Sequence, residues 1–211
     1  MNTDTTNILE KPAAKRGIVS ERILRVLLNH PDKKLTKYRI SKLAKANISW
    51  VIEFLRILEK EKLVDGTKVK DYKGLIMYWH TKRIRPEYRE YMIQKPLDLL
   101  KDMDLRYALT TYYAENLIQK YLFVSRFDFY ISASDVEQWH NHLSAKGLVG
   151  KGNVRVLVDD ENVFYNSSER EGLKVVSVPQ LIIDLLEEGG PGAEAAKMLI
   201  KKESEHAISR I

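Results

Sequence analysis

Leu35-Thr-Lys-Tyr-Arg-Ile-Ser-Lys-Leu-Ala-Lys-Ala-Asn-Ile-Ser-Trp-Val-Ile-Glu-Phe-Leu-Arg-Ile-Leu-Glu-Lys-Glu-Lys-Leu-Val64 is the stretch on which the fold turns. In its second part Ile48, Val51, Leu55 and Leu58 recur at steps of three and four. That spacing predicts one buried stripe on a helix from about Ile48 to Lys62. In its first part Thr36 is a capping residue type, and Ile40, Leu43 and Ala44 follow on one side of a short helix. Lys45-Ala46-Asn47 leaves room only for a tight turn between the two. Upstream, Ser20 reads as an N-cap, with Ile23, Leu24, Leu27 and Leu28 on the inner face of a first helix. His30-Pro31-Asp32 ends that helix, because proline disfavours helical geometry in the residue before it. Downstream, Leu63-Val64 and Gly74-Leu-Ile-Met-Tyr-Trp79 read as extended runs joined through Lys70-Asp71-Tyr72-Lys73-Gly74, a hairpin. Residues 18–84 are thus expected to run helix, helix, turn, helix, hairpin.

The 211-residue chain is long enough for a second domain of similar size. Hydrophobic residues make up 44% and charged residues 30%, a globular balance. No apolar run reaches the roughly 18–20 residues of a membrane span. Met1 to Gly17 is polar, without the apolar core of a secretory signal, and reads as a mobile tail. The absence of cysteine excludes disulfide scaffolds, cysteine zinc sites and thiol nucleophiles. These features lead to the expectation of a cytoplasmic protein without a membrane partner.

The net charge of +6 is unevenly spread. Residues 1–95 hold 22 Lys/Arg and 11 Asp/Glu, a balance of +11, and residues 96–211 hold 13 and 18, a balance of −5. A basic half beside an acidic half points to a polyanion as the partner of the first half. A generally basic chain is the bland alternative.

The quoted stretch resembles the winged helix-turn-helix of many prokaryotic transcription regulators. An apolar second helix, a short turn, a serine at the start of the third helix and the closing Leu-Glu-Lys-Glu-Lys-Leu-Val carry the likeness. The resemblance implies that the third helix enters the major groove of double-stranded DNA, which is wide enough to admit it. Its outward positions are Ser49, Trp50, Glu53, Arg56 and Lys60, and Asn47 and Ser49 stand at its start. Arg56 suits a phosphate or the O6/N7 edge of guanine. Glu53 suits cytosine N4 but repels phosphate. Trp50 either stacks at the DNA surface or covers the core. Lys37, Arg39 and Lys45 enrich the same module, together with Lys33, Lys34 and Lys42. Lys68, Lys70 and Lys73 are expected on the hairpin, astride the phosphate backbone. A lysine-rich hairpin can also serve only to block strand-to-strand aggregation.

Arg85 to Met103 reads as a linker helix broken at Pro96, and residues 104–211 as a second, α+β domain. A helix is expected over about Ala108–Lys120, strands at Phe127–Ile131, Val154–Val158 and Lys174–Val178, and helices at Gln180–Glu187 and Ala193–Lys202. Tyr107-Ala-Leu-Thr-Thr-Tyr-Tyr-Ala-Glu-Asn-Leu117 and Val178-Pro-Gln-Leu-Ile-Ile-Asp-Leu-Leu-Glu-Glu-Gly-Gly-Pro-Gly-Ala-Glu-Ala-Ala-Lys197 resemble segments of AbiEi-type antitoxins, the regulatory partners in type IV toxin–antitoxin pairs. The similarity spans roughly residues 104–202. It implies a winged helix followed by a domain of nucleotidyltransferase-like fold, repression of the chain's own operon, and a toxin as possible protein partner.

A working nucleotidyltransferase would need a Gly-Ser turn and carboxylates that hold magnesium against a phosphate. Asp128, Asp135 and Asp159-Asp160 are the nearest pieces, but no Gly-Ser precedes a suitable Asp-x-Asp. Asp159-Asp160-Glu161-Asn162 reads as a turn. His140 and His142, two apart, point away from each other on a helix. Gly189-Gly190-Pro191-Gly192 reads as a helix stop and restart, and Lys146–Asn153 as a connector or an anion-touching loop. No catalytic, metal or cofactor residue is therefore assigned. The expected protein is a DNA-binding transcription regulator, acting as a homodimer on an inverted repeat. A DNA-targeted nucleotidyltransferase and a protein-docking antitoxin that does not bind DNA stand as alternatives.

Overall fold

A computed structural model describes residues 17–32, 35–101 and 104–209. The expected tail, apart from Gly17, and Lys33 and Lys34 lie outside them. In chain order the described residues form α1 (Ile18–Asn29), α2 (Lys37–Leu43), α3 (Ile48–Lys60), β1 (Val64–Asp65), β2 (Lys68–Val69), α4 (Tyr72–Lys82), β3 (Glu87–Ile93) and α5 (Pro96–Lys101). They continue with β4 (Tyr107–Thr110), α6 (Thr111–Gln119), β5 (Phe127–Ile131), α7 (Val136–Lys146), β6 (Gly147–Val149) and β7 (Val154–Val158). A 3-10 turn (Glu161–Phe164), β8 (Ser168–Arg170), β9 (Leu173–Val175), α8 (Val178–Glu188) and α9 (Gly190–Ser209) complete the order. The chain is α+β. It divides into two compact units, a helical one of residues 16–84 and 177–211 and a sheet-bearing one made chiefly of residues 85–176.

In the helical unit, α1 buries Ile23, Leu24, Leu27 and Leu28, as its spacing predicts. It begins at Gly17 instead of Ser20; Gly17 has φ 102°, a backbone shape that glycine adopts at little cost. Thr36 caps α2, its side-chain oxygen accepting from the Arg39 amide. In α3 Val51, Leu55 and Leu58 are buried, but Ile48 is 41% exposed and Phe54 takes its place inside.

The region after α3 departs from expectation. Two residue pairs, Val64 with Val69 and Asp65 with Lys68, make up the whole hairpin. Gly74–Trp79 is not a strand but part of α4. Asp71 starts that helix, accepting the Gly74 amide at 2.8 Å. Its buried residues Tyr72, Leu75, Ile76 and Trp79 sit at helical steps. The adjacent burial of Leu75 and Ile76 suits a helix face and breaks the alternation that a half-buried strand needs.

The expected boundary between the domains also moves. The expected linker helix is not formed over residues 85–101: β3 lies within the sheet, and Pro96 opens α5 instead of breaking a helix. Proline is well tolerated there, because its missing N–H would have no partner in the first turn. α8 and α9 do not belong with the sheet but with α1–α4. α8 buries Pro179, Gln180, Leu181, Ile182, Ile183, Asp184 and Leu185, a nearly all-round burial that only surrounding helices supply. Gly189 (φ 71°) and Gly190 (φ 46°) turn the chain from α8 into α9, the expected stop and restart.

A polar network lies inside this unit. The Arg83 guanidinium donates to Asp184 at 3.0 Å and to Glu21 at 3.4 Å, with its side chain 3% exposed. Glu21 also accepts the Ile84 amide at 2.6 Å. Arg25, 1% exposed, donates Nε to Gln180 at 2.9 Å and lies 5.1 Å from the Trp79 ring centre. Gln180 in turn donates to Asp184 at 2.9 Å.

The sheet-bearing unit has the strand order β6-β3-β7-β5-β4-β9-β8. It is mixed, with β5 parallel to β7 and β4 parallel to β9, and antiparallel pairs elsewhere. β5 and β7 fall where their hydrophobic runs predict. The expected helix at Ala108–Lys120 is shorter, because Tyr107–Thr110 form a central strand, all four residues buried. Tyr107, Phe129 and Trp139 pack as an aromatic cluster with ring centres 5.1–6.2 Å apart, seating α7 on the sheet.

Candidate nucleic-acid interface

The α2–α3 segment is built to a defined angle by its turn. Lys45 sits in the left-handed region with φ 48°. Its amide donates to Lys42 O at 3.2 Å and the Ala46 amide to Ser41 O at 2.9 Å, the pattern that closes a helix C-terminus. Arg22 of α1 donates to Lys45 O at 3.4 Å. Asn47 then caps α3, its side chain accepting the Ser49 amide at 2.8 Å. The role of Asn47 is thus partly structural, since its carbonyl oxygen is engaged in the cap.

Burial of Val51, Phe54, Leu55 and Leu58 turns the opposite face of α3 outward. Ser49, Trp50, Glu53, Arg56 and Lys60 are all exposed on it. Trp50 is 40% exposed on this face. Ile57, at 42%, lies seven residues on along the same side. Lys37, Arg39, Lys42 and Lys45 are exposed on α2 and its turn. Tyr38 stands between the first two, 61% exposed, with the Lys42 ammonium 5.2 Å from its ring centre.

The hairpin lysines are redistributed. Lys68 is on β2 and partly exposed, Lys70 lies between β2 and α4, and Lys73 is in the first turn of α4. Only Lys68 is therefore a hairpin residue; the other two left the hairpin when its second strand proved to be a helix. All three retain exposure. Two nearby carboxylates have structural tasks. Glu59 accepts the Gly66 amide at 2.8 Å, tying the hairpin tip to α3, and Asp71 caps α4. Arg83, which follows α4, is buried with Asp184 and Glu21.

The carboxylates weighed for catalysis do not converge. Asp128, fully buried in β5, accepts two hydrogen bonds from Arg126 and one from Thr111. Thr111 has φ 49°, a left-handed conformation that β-branched residues rarely hold, and the buried bond to Asp128 helps hold it. Asp159 follows Val158, which pairs with Ile131, so Asp128 and Asp159 stand about 13 Å apart along the strands. Asp160 caps the 3-10 turn through the Asn162 amide. Among the described residues no group of three or more His, Asp or Glu is placed to hold a metal ion.

His140 belongs to the packing of α7 on β3. Its Nδ1 is 2.9 Å from the Tyr91 hydroxyl. Burial, and then the nearby Arg89 charge, hold its pKa below the ordinary 6.5. The unfolded chain therefore takes up this proton first as pH falls. The stability His140 contributes is complete above about pH 6.5 and is lost as pH drops from there toward the lower folded pKa. Unfolding midpoints measured between pH 7.5 and 5 are expected to fall more steeply for the wild type than for His140→Gln; parallel curves would refute this.

No protein-family model, no curated protein and no solved structure matches the chain. No helix among the described residues is long and apolar enough to cross a membrane.

Proposed function

We propose that this chain is a sequence-specific, double-stranded-DNA-binding transcription regulator, with α1–α3 and the β1–β2 hairpin acting as a winged helix. The observation that carries this reading is the cationic surface around α3. Lys37, Arg39, Lys42, Lys45, Arg56 and Lys60 are exposed on two successive helices and the turn between them, with Lys68 and Lys70 just beyond. Two of the neighbouring acids, Glu59 and Asp71, are occupied by backbone amides. A helix presenting polar side chains on such a surface suits the major groove, with lysines and arginines on the flanking phosphates.

The sheet-bearing unit is then free to serve dimerisation, ligand sensing or a protein partner. A homodimer would read an inverted repeat. The likeness to AbiEi-type antitoxins supports autorepression as the form of regulation. The nucleotidyltransferase alternative draws no support from Asp128, which is paired with Arg126 and stands about 13 Å along the strands from Asp159, or from Asp160, which caps the 3-10 turn.

Titration with the duplex lying upstream of the chain's own gene tests the proposal. Tight binding that weakens steeply with salt, and exceeds binding to random duplex by about a thousandfold, is the expected result. Equal affinity for both duplexes would reject sequence-specific regulation.

A further inference from the structure

We infer that Glu53 is the residue through which α3 selects a base pair, its carboxylate accepting from the exocyclic amino group of cytosine; this rests on the DNA-binding reading above. Glu53 lies near the middle of the outward face, four residues after Ser49 and three before Arg56, with the buried stripe behind it. It is exposed, and it forms no hydrogen bond or ion pair with the described residues. The carboxylates of Glu59 and Asp71 hold backbone amides, but nothing in the fold uses that of Glu53. It also stands beyond the first turn of α3, where a negative charge would gain from the helix dipole. A carboxylate here stabilises neither helix nor hairpin, and it sits among the very cations that would meet phosphate.

Its position gives that charge a use. The centre line of a helix laid in the major groove faces base edges, whereas its flanks face phosphates. Of the major-groove edges, cytosine and adenine each offer an amino donor, but adenine sets its N7 acceptor beside it, so a carboxylate, which only accepts, is matched to cytosine. Guanine and thymine present acceptors at the equivalent height and would repel it. Glu53 thereby weakens binding to every unmatched sequence and is compensated at one.

The test uses the full chain as wild type, Glu53→Ala and Glu53→Gln. Each is first checked for unchanged helix content and unfolding midpoint. Selection from randomised duplexes yields the wild-type preference. Each cytosine in it is then replaced by N4-methylcytosine, whose remaining amino hydrogen still pairs with guanine while the methyl takes the place of the groove-facing donor. The wild type is expected to lose about tenfold in affinity at one cytosine, at which Glu53→Ala loses nothing. Glu53→Ala should also bind random duplex more tightly, and Glu53→Gln should shift the preference at that pair toward adenine. Identical base preferences for all three proteins would overturn the assignment while leaving DNA binding intact. A wild type that binds no duplex would overturn the DNA reading itself, and this inference with it.

Discussion

Asp184→Ala is expected to destabilise the helical unit by about 3–5 kcal/mol, the cost of leaving a buried cation without its partner. Arg83 has no route to water, with its side chain 3% exposed between Asp184 and Glu21. Removing Asp184 also strips an acceptor from Gln180, whose own oxygen holds Arg25. The formal charges of Glu21, Asp184, Arg25 and Arg83 cancel, so losing any one unbalances the set. Urea unfolding followed by Trp79 fluorescence, in a Trp50→Phe, Trp139→Phe background, would measure the change within this unit. A loss below about 1 kcal/mol would show that the network is worth no more than an exposed pair. Replacing Glu21, Arg25, Arg83 and Asp184 together with apolar residues of similar size is expected to cost less than the single change, because no buried charge is then orphaned.

Replacing Lys37, Arg39 and Arg56 together with alanine is expected to lower affinity for duplex DNA on the order of a hundredfold near 0.1 M salt. The slope of log K against log salt should become shallower by about 2.7, the release of three counterions. The three side chains are exposed and none caps a helix, so the fold should be retained. Neutralising Lys146, Lys151 and Arg170, exposed on the sheet-bearing unit, removes the same charge and serves as the control. An unchanged slope in the first variant, or an equal loss in both, would show that α2 and α3 do not meet phosphate.

The helices α1–α3, β5, β7 and the break between α8 and α9 could be read from the chain. Each carries its own local signal: apolar residues at helical steps, a short hydrophobic run, or glycines at a turn. The outward set on α3 was legible for the same reason, because a buried stripe implies an opposite face. The hairpin was not. Gly74–Trp79 is short and almost wholly apolar, a pattern that serves a strand or a buried helix equally, and the Asp71 cap three residues before Gly74 was the overlooked cue. Lys73 belongs to α4 for the same reason.

The region 85–103 failed differently. Tyr91 and Ile93 alternate with exposed neighbours over too few residues to outweigh the charged, helix-compatible run around them. What makes β3 a strand is its pairing with β6 and β7, some 55–70 residues away in sequence. Long-range pairing also made Tyr107–Thr110 a strand at the head of a helical pattern.

By itself the sequence determined the charge asymmetry, the helix–turn–helix order and the exposed face of α3, since these depend on composition and on periodicities of a few residues. Tertiary structure alone decided that α8 and α9 complete the helical unit, that Arg25 and Arg83 are core residues instead of surface cations, and that β3 joins the sheet. Burial of a charge or pairing of a strand depends on partners up to 155 residues away, and no local pattern encodes which partner will be there.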